Sequence, residues 1–202
     1  MITNRKILCY GDSNTYGYDP RSYFGGRYPD TVRWTALLKR MGWVVFNRGE
    51  NGRSIPQHMW EYDTVVHALS QSQPDILTIM LGSNDLLQDP DISAEECAKR
   101  MSSFLSALLK QSPVCQILLI APPPMISGTW VNDNRLLRTS QQLAIHYKMV
   151  AEKCEIHFAD AGAWNIDLTF DGVHFSDAGH RTFAKETGMV LEQIMCKQKK
   201  II

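Results

Sequence analysis

A three-layer α/β/α sandwich on a five-stranded, mainly parallel sheet is predicted by three observations. Short apolar runs recur along the chain, amphipathic stretches of helical period separate them, and the central runs are apolar at nearly every position. Strands alternating with helices describe an α/β layered domain. Apolar residues on both sides of a strand suit parallel strands covered on both faces. One domain spanning residues 1–202 is expected, since no linker, repeat or low-complexity segment divides the chain.

The elements follow in order. Lys6–Tyr10 reads as the first strand, and Val32–Met41, with Leu37, Leu38 and Met41 at helical spacing, as the helix after it. Trp43–Asn47 is the second strand, and Gln57–Ser70 carries a fainter helical period. Asp75–Leu81 and Gln116–Ala121 are the most continuously apolar runs and the third and fourth strands. Between them Ser93–Gln111 opens on the capping box Ser93-Ala94-Glu95-Glu96 and continues with Cys97, Met101, Phe104, Leu105 and Leu108. Asn132–Cys154 is a long amphipathic helix presenting Leu136, Leu143, Ile145, Tyr147 and Val150. Glu155–Asp160 is the fifth strand, and a last helix begins at Ser176 or Asp177 and carries Phe183, Met189, Val190 and Ile194.

Composition narrows the partners. Lys+Arg and Asp+Glu balance at 21 each, so no field points to nucleic acid or to an anionic membrane surface. Lys197, Lys199 and Lys200 read as a solvated tail. No apolar stretch reaches spanning length, and Met1–Tyr10 lacks an apolar segment of signal-peptide length, so no membrane association is expected. The five cysteines are odd in number and unpaired in spacing, with Cys9 and Cys115 placed in buried strands, which suits a reducing cytoplasm.

In parallel sheets ligands bind beyond the carboxyl ends of the strands, so the segments there carry the chemistry. The first holds Gly11-Asp12-Ser13-Asn14-Thr15, where a serine in a glycine-led turn either presents its hydroxyl to a crevice or bonds local backbone amides. The second holds Asn47–Ser54, in which Gly52 brings a backbone N–H close to a ligand or only supplies a positive φ. After the third strand, Asn84 in Gly82-Ser83-Asn84-Asp85 donates to an oxyanion or closes an Asx turn. In Asp171-Gly172-Val173-His174 an aspartate can fix one ring nitrogen of a histidine, leaving the other to take a proton, or the two form a loop ion pair. Singly each favours its blander reading. Together they supply nucleophile, base, orienter and oxyanion donors on the ligand-binding face, the set that acyl transfer needs.

Those four segments resemble, in order and over nearly the whole chain, the signature blocks of the SGNH (GDSL-like) hydrolases. Gly11–Tyr18 followed by Val32-Arg33-Trp34-Thr35 is similar to the arylesterase and acyltransferase branch. The resemblance implies a flavodoxin-like fold and a serine esterase acting on small carboxylic esters, with some acyl transfer to alcohols. Ser13 would be the nucleophile, His174 its base and Asp171 the orienter. The oxyanion hole would combine the Ser13 and Gly52 backbone N–H groups with the Asn84 side-chain amide. A small-molecule ester is the implied partner, with no cofactor and no metal, and a homo-oligomer is implied because relatives in this branch form them. One departure stands out: Asn14 occupies the place where the family name has leucine, a position without a catalytic role, so altered packing beside the serine is expected. The alternatives are a carbohydrate acetylesterase and a binding domain of the same fold without turnover.

Other candidates weaken on inspection. The elbow G-x-S-x-G does not occur, since Thr15 stands in place of its last glycine. His146 and His157 fall inside a helix and a strand, and Arg181 beside His180 suggests a solvated face. His58 and His67 also compete for the base role, behind His174. Cys154-x-x-His157 straddles a helix end and a strand, poor geometry for a metal, and neither a P-loop nor G-x-G-x-x-G is present. Tyr16, Tyr18, Tyr23, Phe24, Tyr28, Trp60, Met125 and Trp130 fall in loops around the active face, where they line an apolar pocket or pack the loops down. Pro122-Pro123-Pro124 stiffens the exit of the fourth strand.

Overall fold

The computed structural model describes residues 5–22, 24, 26–89, 91–111 and 115–198; Tyr23, Lys199 and Lys200, named above, lie outside them. Five strands form one sheet: β1 (Lys6–Gly11), β2 (Val44–Gly49), β3 (Ile76–Met80), β4 (Gln116–Ala121) and β5 (His157–Asp160). Their order is β2-β1-β3-β4-β5 and all four pairings are parallel. Alternate residues point to opposite faces. Leu8, Leu77, Ile79 and Leu119 join the core under α3 (Met59–Ser72), α5 (Ala94–Gln111) and α6 (Asn134–Lys153). Ile7, Cys9, Ile76, Leu118 and Ile120 join the core under α2 (Trp34–Arg40) and α7 (Asp177–Gln198). Burial on both sides is why these strands read as unbroken apolar runs. Among the described residues no helix is long and apolar enough to cross a membrane.

The helices obey their stripes. Met101, Phe104, Leu105 and Leu108 of α5 are fully buried, each contributing about 1.5–3 kcal/mol of apolar burial. Ser93 caps α5 by accepting the Glu96 N–H at 3.1 Å. The faint period over 57–70 proves a full helix, α3, whose start is secured by Glu61 accepting the N–H groups of Gln57 and His58 at 2.8 Å each. Three residues expected on apolar stripes are exposed instead: Met41, Ile145 and Met189. Ile145 lies two residues beyond buried Leu143, a spacing that puts it on the far side of α6. The reverse error concerns His180. It belongs to the buried stripe His180, Phe183, Ala184, Thr187, Leu191 and Ile194 of α7, and only its neighbour Arg181, about 100° further round, is solvated.

Sheet order places the site. The chain steps from β1 outward to β2, then returns to β3 on the other side of β1, so the connections diverge between β1 and β3. That divergence opens the ligand crevice at their carboxyl ends. Two short helices unresolved by periodicity begin there, α1 (Ser13–Tyr16) and α4 (Ser83–Gln88), and a 3-10 turn (Ala161–Trp164) follows β5. Thus Ser13 and Asn84 both enter on first turns of helices. Gly82, which precedes α4, is required as glycine: its φ is 121°, and a Cβ would lie 2.5 Å from the Tyr147 hydroxyl. That buried hydroxyl donates to the Leu81 carbonyl at 3.1 Å, locking the exit of β3 to α6.

Candidate active site

Asp12 caps α1, its carboxylate accepting the Asn14 N–H at 2.9 Å, and this sets Ser13 at the first helical position facing the crevice. The Ser13 Oγ stands 2.9 Å from His174 Nε2, and His174 Nδ1 stands 2.7 Å from Asp171 Oδ2. With the carboxylate ionised, Nδ1 carries the proton and donates to Asp171, which leaves Nε2 to accept from the serine hydroxyl. Ser13, His174 and Asp171 are 7%, 2% and 0% exposed, so the relay is screened from solvent.

Asp171 uses its other oxygen to organise the turn. Oδ1 accepts from Thr169 Oγ1, Val173 N and His174 N, each at 2.9 Å. Burial raises the carboxyl's pKa, but the bonds from the His174 ring and from the two backbone N–H groups outweigh it and hold the pKa at about 2. A second strap comes from the loop after β4: Ile126, Thr129 and Trp130 donate their N–H groups to the carbonyls of Gly172, Phe170 and Asp171 at 3.1 Å each. Gly172 makes that approach possible, because a Cβ there would stand 2.1 Å from the Ile126 carbonyl oxygen.

Gly52 and Asn84, the two remaining expected donors, are joined by side chains of α4. Asn84 Nδ2 donates to the Arg53 carbonyl and Gln88 Nε2 to the Gly52 carbonyl, both at 3.0 Å, while Asp85 Oδ2 accepts the Ile55 N–H at 3.0 Å. The Asn84 bond uses one of its two amide hydrogens and sets the orientation of the other. Arg53 anchors the same loop to β1, the strand that precedes Ser13: its guanidinium donates to the Gly11 carbonyl at 2.8 Å, pairs with Glu50 and lies over the Tyr10 ring. Burial raises the Asp85 pKa, opposed by the Ile55 N–H and by Arg100. Burial likewise lifts Asp12 to about 6, opposed by the Asn14 N–H and by the charges of His174 and Arg53.

The sequence model of the GDSL-like lipase/acylhydrolase family matches residues 9–182. The chain belongs to that family. Membership makes it a carboxylic ester hydrolase, and the solved structures it resembles agree. A putative arylesterase from Agrobacterium tumefaciens is 26% identical with a TM-score of 0.80, over 94% of this chain and 99% of that one. A carbohydrate acetylesterase family member from Sinorhizobium meliloti is 26% identical with a TM-score of 0.79, over 94% of this chain and 98% of that one. An aryl esterase from M. smegmatis, 24% identical with a TM-score of 0.79 over 94% and 99% of the two chains, shares the fold. No sequence match is found among curated proteins.

Within this GDSL-like hydrolase the loop aromatics divide. Tyr18 and Trp130 flank the relay, their rings 4.8 and 5.0 Å from the His174 ring, with Trp130 half exposed. Phe170 and Ile126 are exposed, on the two segments that the Thr129–Phe170 and Ile126–Gly172 backbone bonds tie together. Tyr28 and Met125 are buried packing residues, Tyr16 lies under Arg27, and Trp60 stands in the open beside Gly52. His180 packs against Tyr28 and Phe175, and burial, aided by the charges of Arg33 and His174, lowers its pKa to about 3. Asn14, expected to alter only packing, is buried and hydrogen-bonded on both ends of its amide. Among the described residues no three His, Cys, Asp or Glu side chains gather where they could hold a metal.

Proposed function

We propose that this GDSL-like hydrolase is a serine esterase for small, fairly apolar carboxylic esters. The reading is carried by the unbroken chain from Ser13 Oγ through His174 to Asp171. Ser13 attacks the ester carbonyl as its proton passes to His174 Nε2, and Asp171 stabilises the imidazolium that forms. The tetrahedral oxyanion is taken by the Ser13 and Gly52 backbone N–H groups and by the Asn84 amide. His174 then protonates the leaving alcohol, and water, or a second alcohol in acyl transfer, clears the acyl-enzyme. Tyr18 and Trp130, against the His174 ring, supply an apolar border suited to short acyl or aryl groups.

One observation favours a second reading, deacetylation of sugars. A polar hollow lined by Glu50, Asn51, Ser54 and Gln88, with exposed Trp60 at its edge, adjoins Gly52. Hydrolysis of p-nitrophenyl acetate compared with an acetylated xylose separates the two: a higher kcat/KM on the aryl ester supports the first, and a higher value on the sugar overturns it. The oxyanion assignment has its own test. Asn84→Ala is expected to lower kcat on the aryl ester about 10²–10³-fold with little change in KM. An unchanged kcat would remove Asn84 from the oxyanion hole. Melting curves check that the lost Arg53 contact has not unfolded the loop.

A further inference from the structure

We infer that Asn14 is a positioning residue that holds the His174 turn in register with the nucleophile. The inference rests on the Ser13–His174 reading above. Asn14 is 3% exposed and follows Ser13 directly. Its Nδ2 donates to the Val173 carbonyl at 3.1 Å and its Oδ1 accepts the Phe175 N–H at 2.9 Å. These backbone groups lie on either side of His174, so one amide pins the backbone of the base at both ends.

The pin is itself rigidly mounted. The Asn14 N–H donates to Asp12 at 2.9 Å, and the Asn14 carbonyl accepts from the Trp34 indole at 3.0 Å. Asp171 cannot do the same work. It sits in the same turn as His174, so its bonds fix the imidazole within the turn and not the turn against α1. Among the described residues, apart from the Ser13–His174 bond, the Asn14 amide supplies the polar tie between the turn and α1. Only a side chain with both a donor and an acceptor makes both bonds. Leucine, the family's usual residue, would fill the space and leave the Val173 carbonyl and the Phe175 N–H without these partners.

The expected consequence is loss of alignment with the relay's inner bond preserved. Steady-state kinetics of the full chain, Ser13→Ala and Asn14→Leu on p-nitrophenyl acetate are compared with proton NMR of the His174 Nδ1–H. Asn14→Leu is expected to lower kcat about 10²-fold, the scale of an ångström-sized misplacement, with KM changed less than about threefold. Its downfield Nδ1–H signal is expected to persist, because Asp171 still holds that proton. A wild-type kcat in Asn14→Leu, with Ser13→Ala inactive, overturns the clamp alone. Loss of the Nδ1–H signal in a folded Asn14→Leu overturns it too, since Asn14 would then act inside the turn. Full activity in Ser13→Ala removes the catalytic reading and the clamp with it. Should Asn14→Leu not fold, amide exchange in the unaltered chain decides: the Phe175 N–H is expected to exchange at least about 10³-fold more slowly than an unstructured amide. Exchange within tenfold of the unstructured rate overturns the clamp.

Discussion

Ser13→Ala is expected to lower kcat for p-nitrophenyl acetate about 10⁶-fold. In the proposed mechanism the serine's hydroxyl becomes bonded to the acyl carbon, so its removal abolishes the acyl-enzyme and leaves direct attack by water. Some acceleration survives, because the backbone N–H of residue 13 and the Gly52 and Asn84 donors are untouched by the substitution. That remainder is about 10³–10⁴ over water in other serine triads. The change removes one oxygen from a 7%-exposed position and leaves the Asp12 cap bond to Asn14 in place, so the fold is expected to persist. Burst kinetics and labelling by a fluorophosphonate probe provide the check. The wild type is expected to show a burst and to label, and Ser13→Ala to do neither. A burst or label retained in Ser13→Ala would move the nucleophile elsewhere.

The sheet and the helices α2, α5, α6 and α7 could be read from periodicity because each buries a long stripe or a continuous run. The two helices that carry Ser13 and Asn84 could not, since four and six residues are too few to repeat a pattern. The relay itself was legible only as an ordered set: Ser13 and His174 are 161 positions apart, and no local feature of either segment announces the other. What escaped sequence reading is the support around it. Asp85, Gln88 and Arg53 are ordinary polar residues whose bonds cross between loops some thirty positions apart. Nothing but the folded chain reveals that they fasten the Gly52 loop to α4 and β1. His180 shows the opposite hazard. A charged neighbour in sequence says little about a helix residue, because adjacent positions face different surroundings.

Asp171→Asn is expected to lower kcat about 10⁴-fold with the fold intact, and the local bonds dictate why. Asp171 Oδ1 accepts two backbone N–H groups, which cannot become acceptors. An asparagine must therefore keep its oxygen on them and turn its NH2 toward His174 Nδ1. Nδ1 then has to accept, the ring proton moves to Nε2, and the base faces Ser13 with a hydrogen where it needs a lone pair. The same substitution changes acid stability with a definite sign. The native pKa of about 2 lies below the ordinary 3.8, so the ionised Asp171 contributes stability that is present above about pH 4 and lost as pH falls through 2. Urea unfolding followed from pH 5 to 2 is expected to show a shallower decline for Asp171→Asn than for the wild type. Equal slopes would mean the carboxylate gains nothing from its three N–H bonds. An intact kcat would mean that His174 finds its tautomer without Asp171.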